Sequence, residues 1–405
     1  MRLQSKAISD RKDYINSMWQ QVAENHYKLH DGSLAMTGWV DLPVKTKEKD
    51  LETLESAGKK IAAECSALVV IGIGGSYLGT RCLYKALRDY RTGVKLYFAG
   101  WNLSGHYHQR LLNNLDKEKD VDICVVSKSG STMETSLAFD LLKDYMQRRY
   151  GENYADRVYA VTDPQKGILL EEAKEKNYHL FALDSEIGGR YSVLTCVGLL
   201  PLAAAGIDIK GLMDGAQRAY TKYNDKEIAT NQCYQYAAYR TLMPEEDRNV
   251  EVFSFLEPEL RDMGAWLQQL FAESEGKTGK GSFPSVLHYS TDLHSVGQFL
   301  EEGRPCLFET MISIKEHEDD LLIPGRKHSY NGYRSAVDEA VYKVRNNNNT
   351  PIVRIEMDDL SEESWGEIIY FFEKACAMCC LLQGLNPFDQ PGVEAYKKEV
   401  KDLLK

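Results

Sequence analysis

Two short apolar runs break into small, hydroxyl-rich turns and resume as helices: VVIGIGGSYLG over Val69–Gly79 and VVSKSGSTMET over Val125–Thr135. This repeated pattern most constrains the fold. Ala67–Ile73 reads as a strand buried on both faces, as in a parallel sheet. Past Gly72 the glycines allow a sharp turn that presents N–H groups at the start of the next helix. Such a helix start attracts anions, because its first amides lack partners and its dipole is positive there. Ser127, Ser129, Ser131 and Thr132 add hydroxyls at the second turn. Amides and hydroxyls crowded at a strand-to-helix turn suit a phosphate monoester better than a carboxylate. No GxxxxGK[ST] loop occurs, and Gly72-Ile73-Gly74-Gly75 fits the dinucleotide fingerprint only in part. The residues therefore point to a sugar-phosphate site.

The alternation continues. Lys95–Ala99, Asp122–Ser127, Val158–Asp163 and Tyr178–Leu183 read as strands, with helices at Tyr77–Asp89 and at Ser136–Arg149, where Leu137, Leu141 and Tyr145 share a side. Parallel strands joined by crossovers give a three-layer α/β/α domain, and both turns fall at strand C-terminal ends, where such sheets bind ligands. The second half repeats this logic, with strands expected at Val250–Leu256, Ser285–Tyr289, Cys306–Ile314 and Pro351–Met357. Residues 1–50 read as a helical lead-in, Val193–Ala205 as a buried helix, and Asn346–Asn349 as a polar loop. Helices are also expected at Trp365–Gly384 and from Val393 onward.

At 405 residues the chain can hold two domains with substantial cores. A net charge of −11 argues against non-specific nucleic-acid binding. The nine cysteines sit mostly in apolar runs and read as buried hydrophobes in a reducing compartment. With no apolar leader and no apolar stretch approaching about 18 residues, a cytoplasmic protein with no membrane association is expected.

Several isolated residues carry potential chemistry. Arg190 follows two glycines and precedes the apolar Val193–Ala205 stretch. Burying it there without an anionic or polar partner would be costly, which favours a functional role. Glu273, Glu275 and Lys277 end the helix bearing Trp266, Leu267 and Leu270. Spacing alone favours a solvated terminus with a Glu273–Lys277 pair; a catalytic role needs one glutamate against an apolar wall. His294 has no second histidine at metal-ligand spacing, and no HExxH, paired CxxC or EF-hand motif occurs, so no metal is expected. Cys376, Cys379 and Cys380 lie in an apolar helix and read as core. Gln390 and Lys397 stand about two helical turns apart.

Read in order, GIGGSYLG, SKSGSTMET, EIGGRYSVLTCVGLLPLA, FAESEGK, STDLHS and GLNPFDQPGVEAYKK resemble the bacterial type of the glucose-6-phosphate isomerase (phosphoglucose isomerase) family, from about Ala67 to Lys398. GGRYS and FDQPGVE are its most specific segments. The resemblance implies two sugar-isomerase (SIS) domains, at 51–210 and 211–385, with a C-terminal helical arm at 386–405. It implies a homodimer acting on glucose 6-phosphate and fructose 6-phosphate without a cofactor.

By position in these motifs, Gly75 and Ser76 match the sugar end of the site. Ser127, Lys128, Ser129 and Thr132 match the phosphate loop, and Glu134 and Gln390 match substrate-lining positions. Glu273 matches the base and Arg190 the arginine beside the enediolate. His294 and Lys397 match the ring-opening pair, with the histidine supplied by the partner subunit. Ser131 and Met133 stand where threonine is commoner, and Ser329–Thr350 departs from the family pattern. The competing readings are a SIS-type regulator without the base, an isomerase of a related hexose phosphate, and a nucleotide-dependent dehydrogenase.

Overall fold

The structure, a computed structural model, describes residues 1–88, 93–317, 319–348 and 350–405. Asp89, the expected end of the first crossover helix, and Asn349 lie outside them. Among the described residues, ten strands form two five-stranded sheets: β1 (Arg2–Gln4), β2 (Ala67–Ile71), β3 (Lys95–Ala99), β4 (Val121–Val126), β5 (Val158–Thr162), β6 (His179–Ala182), β7 (Val250–Phe255), β8 (Phe283–His288), β9 (Leu307–Ile314) and β10 (Ile352–Met357). The chain divides into two compact units that do not follow chain order. One holds Ala35–Gln217 with Ser361–Gly366; the other holds Met1–Leu34, Arg218–Leu360 and Glu367–Lys405.

The first unit carries a wholly parallel sheet in the order β3-β2-β4-β5-β6. Every residue of β2, β4 and β5 is buried, as expected for strands covered on both faces. Val69, Ile71, Ile123, Val125 and Ala160 pack against Phe139, Leu142, Tyr145 and Met146 of helix Met133–Tyr150. That helix buries a face one position away from the expected one, for Leu137 is 55% exposed. Helix Glu48–Glu64 approaches Cys196–Ala204 closely enough that a Cβ on Gly58 would come within 2.7 Å of Ala203.

The second unit carries the order β1-β10-β9-β7-β8. Its four longer strands are parallel, whereas β1 runs antiparallel on β10. β1 corrects the purely helical lead-in: three residues are too few to show a period-2 pattern. Helices Lys6–Ser9, Lys12–Ser17 and Trp19–His30 follow it. A second correction concerns the asparagine run. Helix Tyr330–Asn347 takes in Asn346 and Asn347, with Asn348 at its C-cap. Val341 and Arg345 on its inner face are buried and hold it to the sheet, overriding the poor helix propensity of asparagine.

Candidate functional site

In the first unit the turns that follow β2, β4 and β6 are tied to one another. After β2, Gly74–Ser76 forms a short 3-10 turn leading into helix Leu78–Leu87. A Cβ on Gly75 would lie 2.0 Å from the Gly189 carbonyl oxygen and 2.8 Å from the Arg190 nitrogen. Only glycine permits this approach. The Ser76 and Tyr77 amides are spent on the carbonyls of Ile73 and Gly74, so this turn presents fewer open amides than its sequence suggests.

After β4 the hydroxyl-rich turn is internally ordered. Ser127, which is buried, accepts from the Gly130 amide at 3.0 Å, and Ser129 accepts from the Ser131 amide at 3.2 Å. Ser129 and Ser131 share a hydroxyl–hydroxyl bond of 2.8 Å. Gly130 has φ +75°, and a Cβ there would meet the Leu169 nitrogen at 2.5 Å. Thr132 is the N-cap of helix Met133–Tyr150 but makes no side-chain cap bond. The Thr132 side chain thus does not occupy the first-turn amides, and Glu134 stands in that same turn.

Lys128 reaches from this turn to the next. Its Nζ donates to the Ser185 carbonyl at 2.6 Å and to that of Ile187 at 3.3 Å. Burial lowers its pKa, opposed by Asp163, Glu186 and Asp184. Beyond Ile187, Gly189–Tyr191 forms a 3-10 turn in which Arg190 is only 5% exposed, and Tyr191 stacks on Trp39 with centroids 4.6 Å apart. Gly75, Ser76, Ser127, Lys128, Ser129, Thr132, Glu134 and Arg190 therefore all belong to this unit.

Glu273, His294, Gln390 and Lys397 belong to the other unit. Glu273 sits in the last turn of helix Arg261–Glu275, half-buried, where Gln269 Nε2 donates to its Oε2 at 2.9 Å. Glu275 instead turns inward and is 1% exposed. It pairs with Arg240, which also holds Glu251 on β7. Burial pushes the Glu275 pKa up against the pull of Arg240. Lys277 does not pair with Glu273: its Nζ contacts the Asn386 carbonyl and lies 2.6 Å from Asp389 Oδ1. Lys397 lies on helix Glu394–Leu403, bound to Glu394 at 2.9 Å. That bond chiefly raises its pKa, and the charge of Glu273 adds to it. Glu273 and Lys397 are thus brought within electrostatic reach. His294 ends the 3-10 turn Thr291–His294 and is exposed.

Sequence reasoning missed Gln269, and its position four residues before Glu273 on the same helix face was the available signal. The Glu275 carboxylate and the Cys376 and Cys380 thiols lie within 4.8 Å of one another. That carboxylate is already committed to Arg240, so the cluster reads as core.

A sequence profile described as "Phosphoglucose isomerase" matches residues 23–311. A Clostridium perfringens protein named "Glucose-6-phosphate isomerase" is 40% identical over 99% of this chain and 94% of its own length. Among solved structures, a hypothetical protein from Thermus thermophilus superposes with TM-score 0.90 at 27% identity, covering 100% of this chain and 99% of that one. A glucose-6-phosphate isomerase from Chlamydia trachomatis shares the fold, with TM-score 0.76 at 22% identity over 88% of this chain and 73% of its own. The chain belongs to the phosphoglucose isomerase family.

Proposed function

We propose that this chain interconverts D-glucose 6-phosphate and D-fructose 6-phosphate through ring opening and a cis-enediol. One observation carries the reading: three strand-end turns converge in the first unit, two of them hydroxyl- or glycine-rich and the third bearing a buried arginine. A phosphate loop beside a buried guanidinium fits a phosphorylated substrate on which negative charge develops. The reaction moves a proton from C2 to C1 while the carbonyl moves the other way, so it is internally balanced and needs no redox cofactor.

Glu273 takes the C2 proton and returns it to C1 on one face of the enediol. Arg190 stabilises charge on the enediolate oxygens. His294, helped by Lys397, moves the proton that opens the ring. Ser127, Lys128, Ser129 and Thr132 hold the phosphate, and this remote binding aligns C1–C2. Gly75, Ser76, Glu134 and Gln390 line the sugar. In this reading the protein is a cytoplasmic homodimer in which each His294 serves the partner's site. The exposure of His294, and of Leu321, Leu322 and Tyr330, supports a surface covered by a second copy.

The test is turnover of fructose 6-phosphate with EDTA present, in deuterated water. Glucose 6-phosphate carrying label at C2 is expected. Glu273→Gln should keep affinity for an unreactive hexitol phosphate while kcat falls by on the order of a thousandfold. Near-normal turnover in that variant would remove Glu273 from the role. A folded wild type that binds sugar phosphate without turnover would favour the regulator reading.

A further inference from the structure

Lys277 is a cation that neither the phosphate turn nor the proton-transfer set absorbs. It follows the last turn of helix Arg261–Glu275, and its side chain is 9% exposed. A lysine side chain so covered is not an open anion-binding group. Both acceptors, the Asn386 carbonyl and the Asp389 carboxylate, belong to the turn that ends at Gln390. Asn386 Oδ1 accepts from the Phe388 amide at 3.0 Å and closes the same turn on itself. Lys280 adds a second tie three residues on, donating to the Gln383 carbonyl at 2.6 Å. From the core side, Glu275 anchors the helix end through Arg240. The short stretch 273–277 therefore carries a half-buried carboxylate, a buried anchor and a hook to the Asn386–Gln390 turn in succession.

We propose that Lys277 is a positioning residue that latches the Asn386–Gln390 turn to the helix end bearing Glu273. It holds the proton-transfer carboxylate, Gln390 and the following Lys397 helix in one register. This rests on the isomerase reading above. Misplacement of a reacting group by about 1 Å costs on the order of a hundredfold in rate, so the latch acts on chemistry more than on substrate affinity. It also keeps water from the carboxylate while the transferred proton resides there.

The experiment compares wild type, Lys277→Met, Lys277→Arg and Asp389→Asn. Lys277→Met is expected to lower kcat by on the order of tenfold to a hundredfold. Affinity for an unreactive hexitol phosphate should change little. The fraction of product proton drawn from deuterated solvent should rise. Lys277→Arg, which can reach both acceptors, should restore most of the rate, and Asp389→Asn should move both readouts the same way by less. A merely structural lysine would lower the folded fraction and leave kcat per folded molecule and proton exchange unchanged, which overturns the proposal. If Lys277→Met fails to fold, wild-type rate and exchange in Asp389→Asn overturn it equally. Limited proteolysis at the Asn386–Gln390 turn reads the latch without activity. Faster cleavage in Lys277→Met supports it even if the wild type proves inactive, a result that would sink the isomerase reading alone; unchanged cleavage overturns the latch.

Discussion

Glu273 and Glu275 stand two residues apart on one helix, about 200° around its axis, and their surroundings treat them oppositely. Glu275 faces the core and is neutralised by Arg240, whereas Glu273 faces outward with Gln269 beside it. Sequence placed both in one motif but could not say which faced inward. That depended on Arg240 and Glu251, which arrive from a distant helix and from β7. Glu373 was equally hidden, inside a helix that reads as apolar. It is 2% exposed, its Oε1 has no partner among the described residues, and burial raises its pKa well above 4.5. An acid raised on folding adds most stability below its unfolded pKa and loses that contribution as pH climbs through the folded value. Glu373→Gln should therefore raise the thermal midpoint near neutrality by a few degrees. Its advantage over wild type should widen upward from about pH 5, near the unfolded carboxylate pKa, as scanning calorimetry across pH would register.

At the scale of elements, the nine parallel strands were legible to within about two residues because each is a compact apolar run. The short β1 was not, since its pairing partner lies at the other end of the chain. The glycine turns were read as anion cradles, yet one of them also serves as a spacer. Gly75 lets the Gly74–Ser76 turn touch the Gly189–Arg190 backbone, a contact between turns that no local pattern records. Gly75→Ala should force those turns apart, lowering stability by about 1–3 kcal/mol and kcat by at least about tenfold. Gly105→Ala, where nothing lies within 4 Å of the added methyl, is the control expected to leave both unchanged. Urea unfolding and steady-state turnover on the two variants would decide the matter.

At the scale of the molecule, two sheets of parallel strands follow from the alternating pattern, but the strand order and the membership of the units do not. Motif order revealed the family-matched residues; it did not reveal that Arg190 and the phosphate turn share one compact unit while Glu273 and Lys397 share the other. The proposed dimer makes a quantitative prediction. Inactive Glu273→Gln and His294→Ala chains, co-expressed, should form mixed dimers with one intact site each. Activity should return to about one quarter of wild type if pairing is statistical. Recovery near zero would place each histidine in its own chain's site.

The antiparallel strand β1 bears on how the chain is made. Arg2 pairs with Glu356 and Gln4 with Arg354, so β1 leaves the ribosome long before its hydrogen-bonding partner exists. Residues 35–217 hold a complete parallel sheet that can collapse during synthesis, whereas β1 gains its strand partner only once β10 has been made. Until β1 docks, β10 is a bare sheet edge, the kind of surface that recruits strands from neighbouring chains. Closing that edge is a late, long-range event, and a ribosome stalled before β10 would carry an orphaned leading segment for a chaperone to guard.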